Sequence, residues 1–417
     1  MKNNVKAQHF DVVISGGGLS GLLMALSLAD LTNAKGVKLN IAVVEVSAIL
    51  QDASRSFDDR VLALSHGTAA YLDELGAWQT LKKNAEAIKK IHVSDREHYG
   101  KARLTASDYQ VSALGYVVEM LSVGKSLLTA LANKTNVTWF APDKINAVQW
   151  HKKHVNLTLN SEKNLTTTLL LGCDGANSPC RKFAGIEINA KPYGQSALIA
   201  NVSTAKPHNN VAYERFTKNG PIAMLPLSFA AAGINKGKGR CSLVWTLTPE
   251  LAKKMQALND NDFKKQLELA FGTWLGEITH VGKRDVYPLN LLQAQDQIYH
   301  RMALVGNASH TIHPIAGQGF NLGVRDVSQL AELIEKSLLV ENVENNSTND
   351  IGSLRLLNQY AEQRQKDHKQ VINLTDSLVT IFSNDLPPLV IGRGVGLKVL
   401  NYFSPIKKAL VNKTMGY

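Results

Sequence analysis

FDVVISGGGLSGLLMALSLADL, residues 10–31, decides the fold. Phe10–Ser15 is a short apolar run with β-branched residues, and it reads as a buried strand. Gly16, Gly18 and Gly21 follow in GxGxxG spacing, and Gly21–Leu31 reads as a helix. Strand, glycine turn and helix in this order let backbone amides approach a pyrophosphate at the positive end of the helix. Leu19 and Ser20 complete the turn and count with the glycines as cofactor contacts. Val37–Val46 reads as a second, parallel strand ending near Glu45, 24 residues beyond Gly21. An acid there suits a ribose hydroxyl pair and repels a 2′-phosphate. A βαβ opening of this kind predicts a doubly wound α/β sheet. The glycine loop alone does not separate FAD from NAD, nor a ligand site from an empty turn.

Around that opening, the chain has 417 residues, enough for two or three lobes. The net charge of +11 raises the question of an anionic partner. The cations come mostly as scattered pairs such as Lys82-Lys83 and Lys152-Lys153, which suit solvated helix faces, so no nucleic-acid partner is expected. Three cysteines (Cys173, Cys180, Cys241) form neither a disulfide framework nor a CxxC metal pattern. They predict a reducing compartment and no metal site. Met1–Phe10 is polar, and no run of about 20 apolar residues is present to span a bilayer. The expected location is therefore the cytoplasm, with a peripheral position at the inner face of the cytoplasmic membrane left open.

Periodicity predicts helices over Thr68–Lys83 and Gly124–Asn133, and strands at Ile91–Ser94, Ala102–Thr105 and Val137–Phe140. Alternation from Val148 to Leu171 suggests a hairpin feeding a buried strand. Strand-like runs then dominate (Ser196–Ser203, Val211–Thr217, Ile222–Leu227, Cys241–Leu247), with one helix near Asp260–Ala270. The first sheet resumes at Arg301–Val305. Helices follow at Gly323–Leu339 and Ser353–Phe382, separated by a polar loop, Glu341–Asp350. The expected architecture is a discontinuous Rossmann-like domain (1–80, 106–185 and 285–345), an inserted, mostly antiparallel β-sheet substrate domain (81–105 and 186–284) and a helical C-terminal tail (346–417).

Two later segments distinguish the cofactor. Gly172-Cys173-Asp174-Gly175-Ala176-Asn177-Ser178-Pro179-Cys180-Arg181 follows one buried strand, and residues 305–323, VGNASHTIHPIAGQGFNLG, follow another and enter a helix. With the glycine loop, they resemble the three FAD motifs of flavoprotein aromatic hydroxylases of the p-hydroxybenzoate hydroxylase type. The stretch His313–Asp326 is more narrowly similar to the ubiquinone-biosynthesis hydroxylases. So are Asp59–Leu64, Gly115–Glu119, Gly220–Leu227 and Tyr360–His368, across nearly the whole chain.

The resemblance implies FAD in the first domain, its flavin reaching the boundary with the sheet domain, NAD(P)H as a transient donor and O2 as co-substrate. Cofactor contacts are then expected from Asp174, from Arg60 on the phosphate or ribose, and from Asn307 on ribityl or ribose hydroxyls. The loop and helix start at Gly317, Gln318, Gly319, Phe320 and Asn321 would face the flavin, with the helix dipole favouring its reduced anion. Asn307 stands where the family usually has Asp, which exchanges a charge-assisted hydrogen bond for one roughly 1 kcal/mol weaker. For the chemistry itself the candidates are the Pro314 carbonyl, as the site of oxygen reaction, and His313; no catalytic base is evident.

The implied reaction is ring hydroxylation of a polyprenylated (methoxy)phenol through flavin reduction and a C4a-hydroperoxide. Expected partners are that phenol, a ubiquinone-biosynthesis protein complex and a membrane surface. The basic, apolar segment Leu386–Tyr417 is the candidate for membrane docking. A halogenase is disfavoured because none of the five tryptophans lies in a WxWxIP segment. A prenyl reductase, another FAD-dependent oxidoreductase or a non-catalytic FAD-retaining subunit stays open.

Overall fold

The first strand, Gln8–Ser15, lies inside an eight-stranded sheet. The computed structural model describes residues 7–48, 60–95, 101–229, 239–314, 317–339 and 350–382. Asn164–Gly172 runs parallel to the first strand on one side and Ile41–Val44 on the other. Met302–Leu304 and Val137–Phe140 extend the parallel set outward. Because the neighbours of Gln8–Ser15 diverge in both directions, its C-terminal end is a topological switch point, where a crevice opens for ligands. These strands are buried on both faces, which explains continuous apolar runs in place of alternation. Helices Leu19–Ala29, Met120–Leu131 and Gln318–Leu339 share one core with Ile14, Val43 and Leu171. The hairpin Ile145–Trp150/Val155–Leu159 shares another with Val13 and Leu170.

A second sheet of nine strands is antiparallel throughout, apart from the parallel pairing of Val211–Thr217 with Lys90–Asp95. Helices Pro249–Ala257 and Asp260–Phe271 cover one of its faces through Met255, Phe263, Leu267 and Phe271. The first of these helices was not expected from periodicity. Its signal is Thr248-Pro249, a side-chain cap that accepts from Leu251 N and a proline at the start of the first turn.

Three further differences have local causes. The expected helix Thr68–Lys83 is two helices, His66–Glu74 and Trp78–Leu81, because Gly76 adopts a left-handed φ of 74° between them. A domain boundary at 285 would cut a strand from its sheet: Asp285–Ala294 pairs with Ile188–Thr204, so the second sheet extends through Ala294. Glu86–Ile88, assigned to the substrate domain, instead joins Gly115–Glu119 and Val61–Ser65 in a three-stranded antiparallel sheet that no pattern announced. The long helix Leu354–Phe382 packs on the first domain through Leu357 and Tyr360. The rest of the expected tail, and the loop before Asp350, lie outside the described residues.

Candidate active site

Close backbone contact, more than any side chain, brings the three motifs together. Gly16 has a φ of 99°, and a Cβ there would lie 2.5 Å from Cys173 O in the second motif. A Cβ on Gly21 would lie 1.9 Å from Gly16 O. Gly306, at φ 61°, opens the third motif; a Cβ there would meet Ser20 Oγ at 2.6 Å. Buried Arg181 closes the ring, donating from one guanidinium nitrogen to Ala176 O (2.7 Å) and from the other to Ala308 O (2.8 Å).

Gly18 differs from these: a Cβ built on it meets nothing within 4 Å. It is also the N-cap of Leu19–Ala29, and no side chain caps that helix. The first-turn N–H groups of a helix have no partner within the helix. An open volume in front of them, at the switch point, fits a cofactor pyrophosphate. Glu45 sits beside the turn and accepts from Gly17 N at 2.5 Å and Ser47 N at 2.9 Å. Asp174 Oδ2 accepts from Cys180 N (2.9 Å), while Oδ1 is buried with no protein partner among the described residues. An orphaned carboxylate oxygen at this junction suits a ligand hydroxyl. Asn307 is exposed on the short turn Gly306–Ala308. The observed residues thus fit a dinucleotide such as FAD.

The third motif is held from below by a buried polar cluster. Asp326 accepts from Gly306 N at 3.0 Å, from Arg364 Nε at 2.7 Å and from His368 Nε2 at 2.8 Å. Burial works to raise the Asp326 pKa, but His368, His310 and Arg364 outweigh it, and the carboxyl is held well below its usual range. Burial pushes His310 down to about 3 although Asp326 lies 3.6 Å away. The two histidines and Asp326 form a grouping of metal-ligand type. Here Arg364 supplies the cation, and the carboxylate's bonds go to protein donors. Asp326, Arg364 and His368 were not singled out individually from the sequence; the clue was their place in the His313–Asp326 and Tyr360–His368 segments.

Asn321 is the clearest revision. Its Oδ1 accepts from Ser65 N and Thr68 Oγ1, both at 2.8 Å, and its Nδ2 donates to Ala63 O and Gly317 O, both at 2.8 Å. Two donors and two acceptor positions are the full capacity of an amide. The side chain is therefore a clamp between the flavin loop and the strand Val61–Ser65, and only its backbone is left for a cofactor. Gly317, at φ 61°, packs so closely on Ala63 that a Cβ would lie 2.8 Å from the Ala63 Cβ. Gly319 has only an ordinary contact with Ile312. Gln318 is buried and Phe320 half-buried against the first core.

Pro314 O accepts from Gly317 N at 3.0 Å, so one of its lone pairs closes the turn. His313 is buried edge-on to the Tyr193 ring at 5.0 Å, and burial lowers its pKa to about 4. It is neutral near pH 7, which removes it as a cationic acid. Arg60 is exposed, with its guanidinium 5.6 Å from the centre of the Tyr287 ring. It lines a cleft of ≈ 400 Å³, open mouth included, with Ile199, Asn201 and Asp285 of the second sheet. Arg60 therefore spans the two domains.

Residues 9–375 match the model of a family described as FAD binding domain. The ubiquinone hydroxylase UbiL of Rhodospirillum rubrum is 33% identical over 97% of this chain and 89% of its own. The 3-demethoxyubiquinol 3-hydroxylase of Escherichia coli is 29% identical over 98% of this chain and 99% of its own. Among solved structures, p-nitrophenol 4-monooxygenase PnpA from Pseudomonas putida aligns with a TM-score of 0.74 at 18% identity, covering 98% of this chain and 99% of that one, a likeness of fold. The converging glycine turns and this near full-length match lead to one conclusion: the chain belongs to the FAD binding domain family.

Proposed function

We propose that this protein is an FAD-dependent monooxygenase that inserts one oxygen atom of O2 into the ring of a polyprenylated (methoxy)phenol in ubiquinone biosynthesis. The observation that carries the reading is the junction of three motifs around the open space at Gly18, on a chain similar along nearly its whole length to ubiquinone hydroxylases. Bound FAD supplies the redox chemistry, accepting electrons from NAD(P)H and activating O2.

The chain's own residues bind and orient. Gly16, Gly18 and Gly21 admit the pyrophosphate to the first-turn amides carried by Leu19 and Ser20. Glu45 and Asp174 offer carboxylate oxygens, and Asn307 an amide, to the hydroxyls. Arg60 reaches the phosphate or ribose from the cleft. Gly317–Asn321 form the flavin wall, with Pro314 and His313 beside it.

The test is to reconstitute the protein with FAD and supply NAD(P)H, isotopically labelled O2 and a short-chain 2-prenyl-6-methoxyphenol. Labelled oxygen in the ring supports the reading, and NAD(P)H-independent or ring-reducing turnover refutes it. No helix among the described residues is long and apolar enough to cross a membrane. Delivery of a lipid substrate therefore falls, in this reading, to the basic segment Leu386–Tyr417, which lies outside the described residues, or to a partner in a biosynthetic complex. Charge reversal of Lys407, Lys408 and Lys413 then lowers binding to anionic vesicles at low salt; unchanged binding assigns delivery elsewhere.

A further inference from the structure

One carboxylate on the second sheet, Glu214, points away from the helices that cover that sheet and has no charge partner among the described residues. Strand pairing places Glu214 opposite Ala223 and Val93. The same row continues to Val244 and Ile199. Directly paired residues share a face, so Glu214 is the one charge between Val93 and Ile199 in a row that reaches its next carboxylate, Asp285, only beyond Ile199. Its sequence neighbours point the other way: Tyr213 packs on Phe271 of the covering helix, and Arg215 lies 4.8 Å over the Trp274 ring. Glu214 is thereby directed away from the helical layer.

What it faces follows from the residue two positions earlier. Ala212, on the same face, packs with Val117 and Leu225. Val117 pairs with Ala63, and Ala63 abuts Gly317 of the third motif. Glu214 is one strand repeat, roughly 7 Å, beyond this wall. The side chain is half-buried, and burial alone raises its pKa to about 7. Other charged groups on this face have their own settings. Arg240 binds Glu119 at 2.8 Å, Lys283 binds Asp285 at 2.9 Å, Arg60 lies over Tyr287, and Asp95 sits on the adjacent strand opposite Phe216.

We propose that Glu214 holds the phenolic hydroxyl of the substrate and accepts its proton as the ring is oxygenated. The proposal rests on the hydroxylase reading above. In the step the phenolic O–H bond breaks and a carboxyl O–H bond forms, with nothing oxidised or reduced. The proton returns to the same oxygen when the new ring carbon–oxygen centre gives up its carbon-bound hydrogen as a proton to solvent and aromaticity is restored. A base whose pKa lies near the working pH is the efficient choice for such a transfer.

The experiment uses FAD-loaded enzyme, Glu214→Gln and Glu214→Leu, with 2-methoxy-6-geranylphenol and its O-methyl ether as probes. Wild-type kcat/KM is expected to rise with pH through about 7, and both variants to lose this limb. Rates should fall about 10²–10⁴-fold at unchanged FAD content. Independently of turnover, wild type should bind the phenol at least about tenfold more tightly than the ether, a preference lost in Glu214→Leu. In wild type alone this preference should grow as the pH rises through about 7, which needs no variant to fold. A flat preference, or an unaltered pH limb in Glu214→Gln, overturns the assignment. Wild type that leaves the phenol unoxygenated overturns the hydroxylase reading instead, since phenol binding and its pH dependence still report on Glu214.

Discussion

Asn321→Leu is the most demanding test of the site's construction. Leucine keeps the branched outline of the amide, with two methyl groups in place of its oxygen and nitrogen, and removes all four hydrogen bonds. Thr68 Oγ1 keeps its second partner, Ser65 Oγ, at 3.1 Å. Ser65 N, Ala63 O and Gly317 O are left without theirs in a region that excludes water. At roughly 1–2 kcal/mol for each stranded buried group, the loss is about 3–6 kcal/mol. That is a large part of the roughly 5–15 kcal/mol that usually separates folded from unfolded domains. Two consequences are separable. Ser65 caps the helix His66–Glu74, so urea unfolding followed by far-ultraviolet dichroism should shift to a markedly lower midpoint. Gly317 loses its tether, so FAD affinity, titrated by flavin fluorescence, should fall as well. A stability loss below about 1 kcal/mol with unchanged FAD affinity would refute the clamp, because it would mean that these bonds are replaced by water at no cost.

The second and third glycines of the first motif should respond in opposite ways. Gly18→Val is expected to abolish FAD binding while leaving the apoprotein's thermal midpoint nearly unchanged, because its Cβ meets no protein atom within 4 Å. Gly21→Ala should lower that midpoint, since its Cβ would lie 1.9 Å from Gly16 O; equal stability of the two variants contradicts the geometry. Asn307→Asp should retain FAD and bind it more tightly, through a charge-assisted hydrogen bond to a hydroxyl; markedly weaker binding in a titration would remove Asn307 from the hydroxyls. Acid should destabilise the protein through its buried histidines. The folded pKa values of His310 (about 3) and His313 (about 4) lie below the ordinary 6.5, so the unfolded chain takes up protons that the folded one refuses. Their contribution is intact above about pH 6.5 and is lost as the pH falls toward 4, by roughly 3 kcal/mol each. His310→Leu should flatten the fall in urea midpoint over this window, and an unaltered slope counts against the assignment.

The residue pattern alone determined a good deal here. A strand, three spaced glycines and an acid at the end of the second strand require only local geometry, and all of these stand where the pattern put them: Gly16 and Gly21 because backbone approaches too closely for a Cβ, Gly18 because space is left open. The three FAD motifs were legible for the same reason, since each is a contiguous turn after a strand. The mostly antiparallel second sheet was legible from its runs of β-formers. Tertiary structure decided what depends on partners distant in sequence. Asn321 read as a cofactor contact and proved to be a clamp, because its four partners lie at positions 63, 65, 68 and 317. Arg364 and His368 sit in a helix whose pattern says only that it is amphipathic, yet they converge on Asp326 and through it on the Gly306 turn. Glu214 carried no signal at all, because strand alternation gives a side chain one of two faces without saying which is covered by helices. Pairing to Ala223 and Val93, and the packing of Tyr213 on Phe271, made that choice. Backbone turns are encoded by neighbours a few residues apart, whereas the environment of a side chain is set by whatever the fold brings against it.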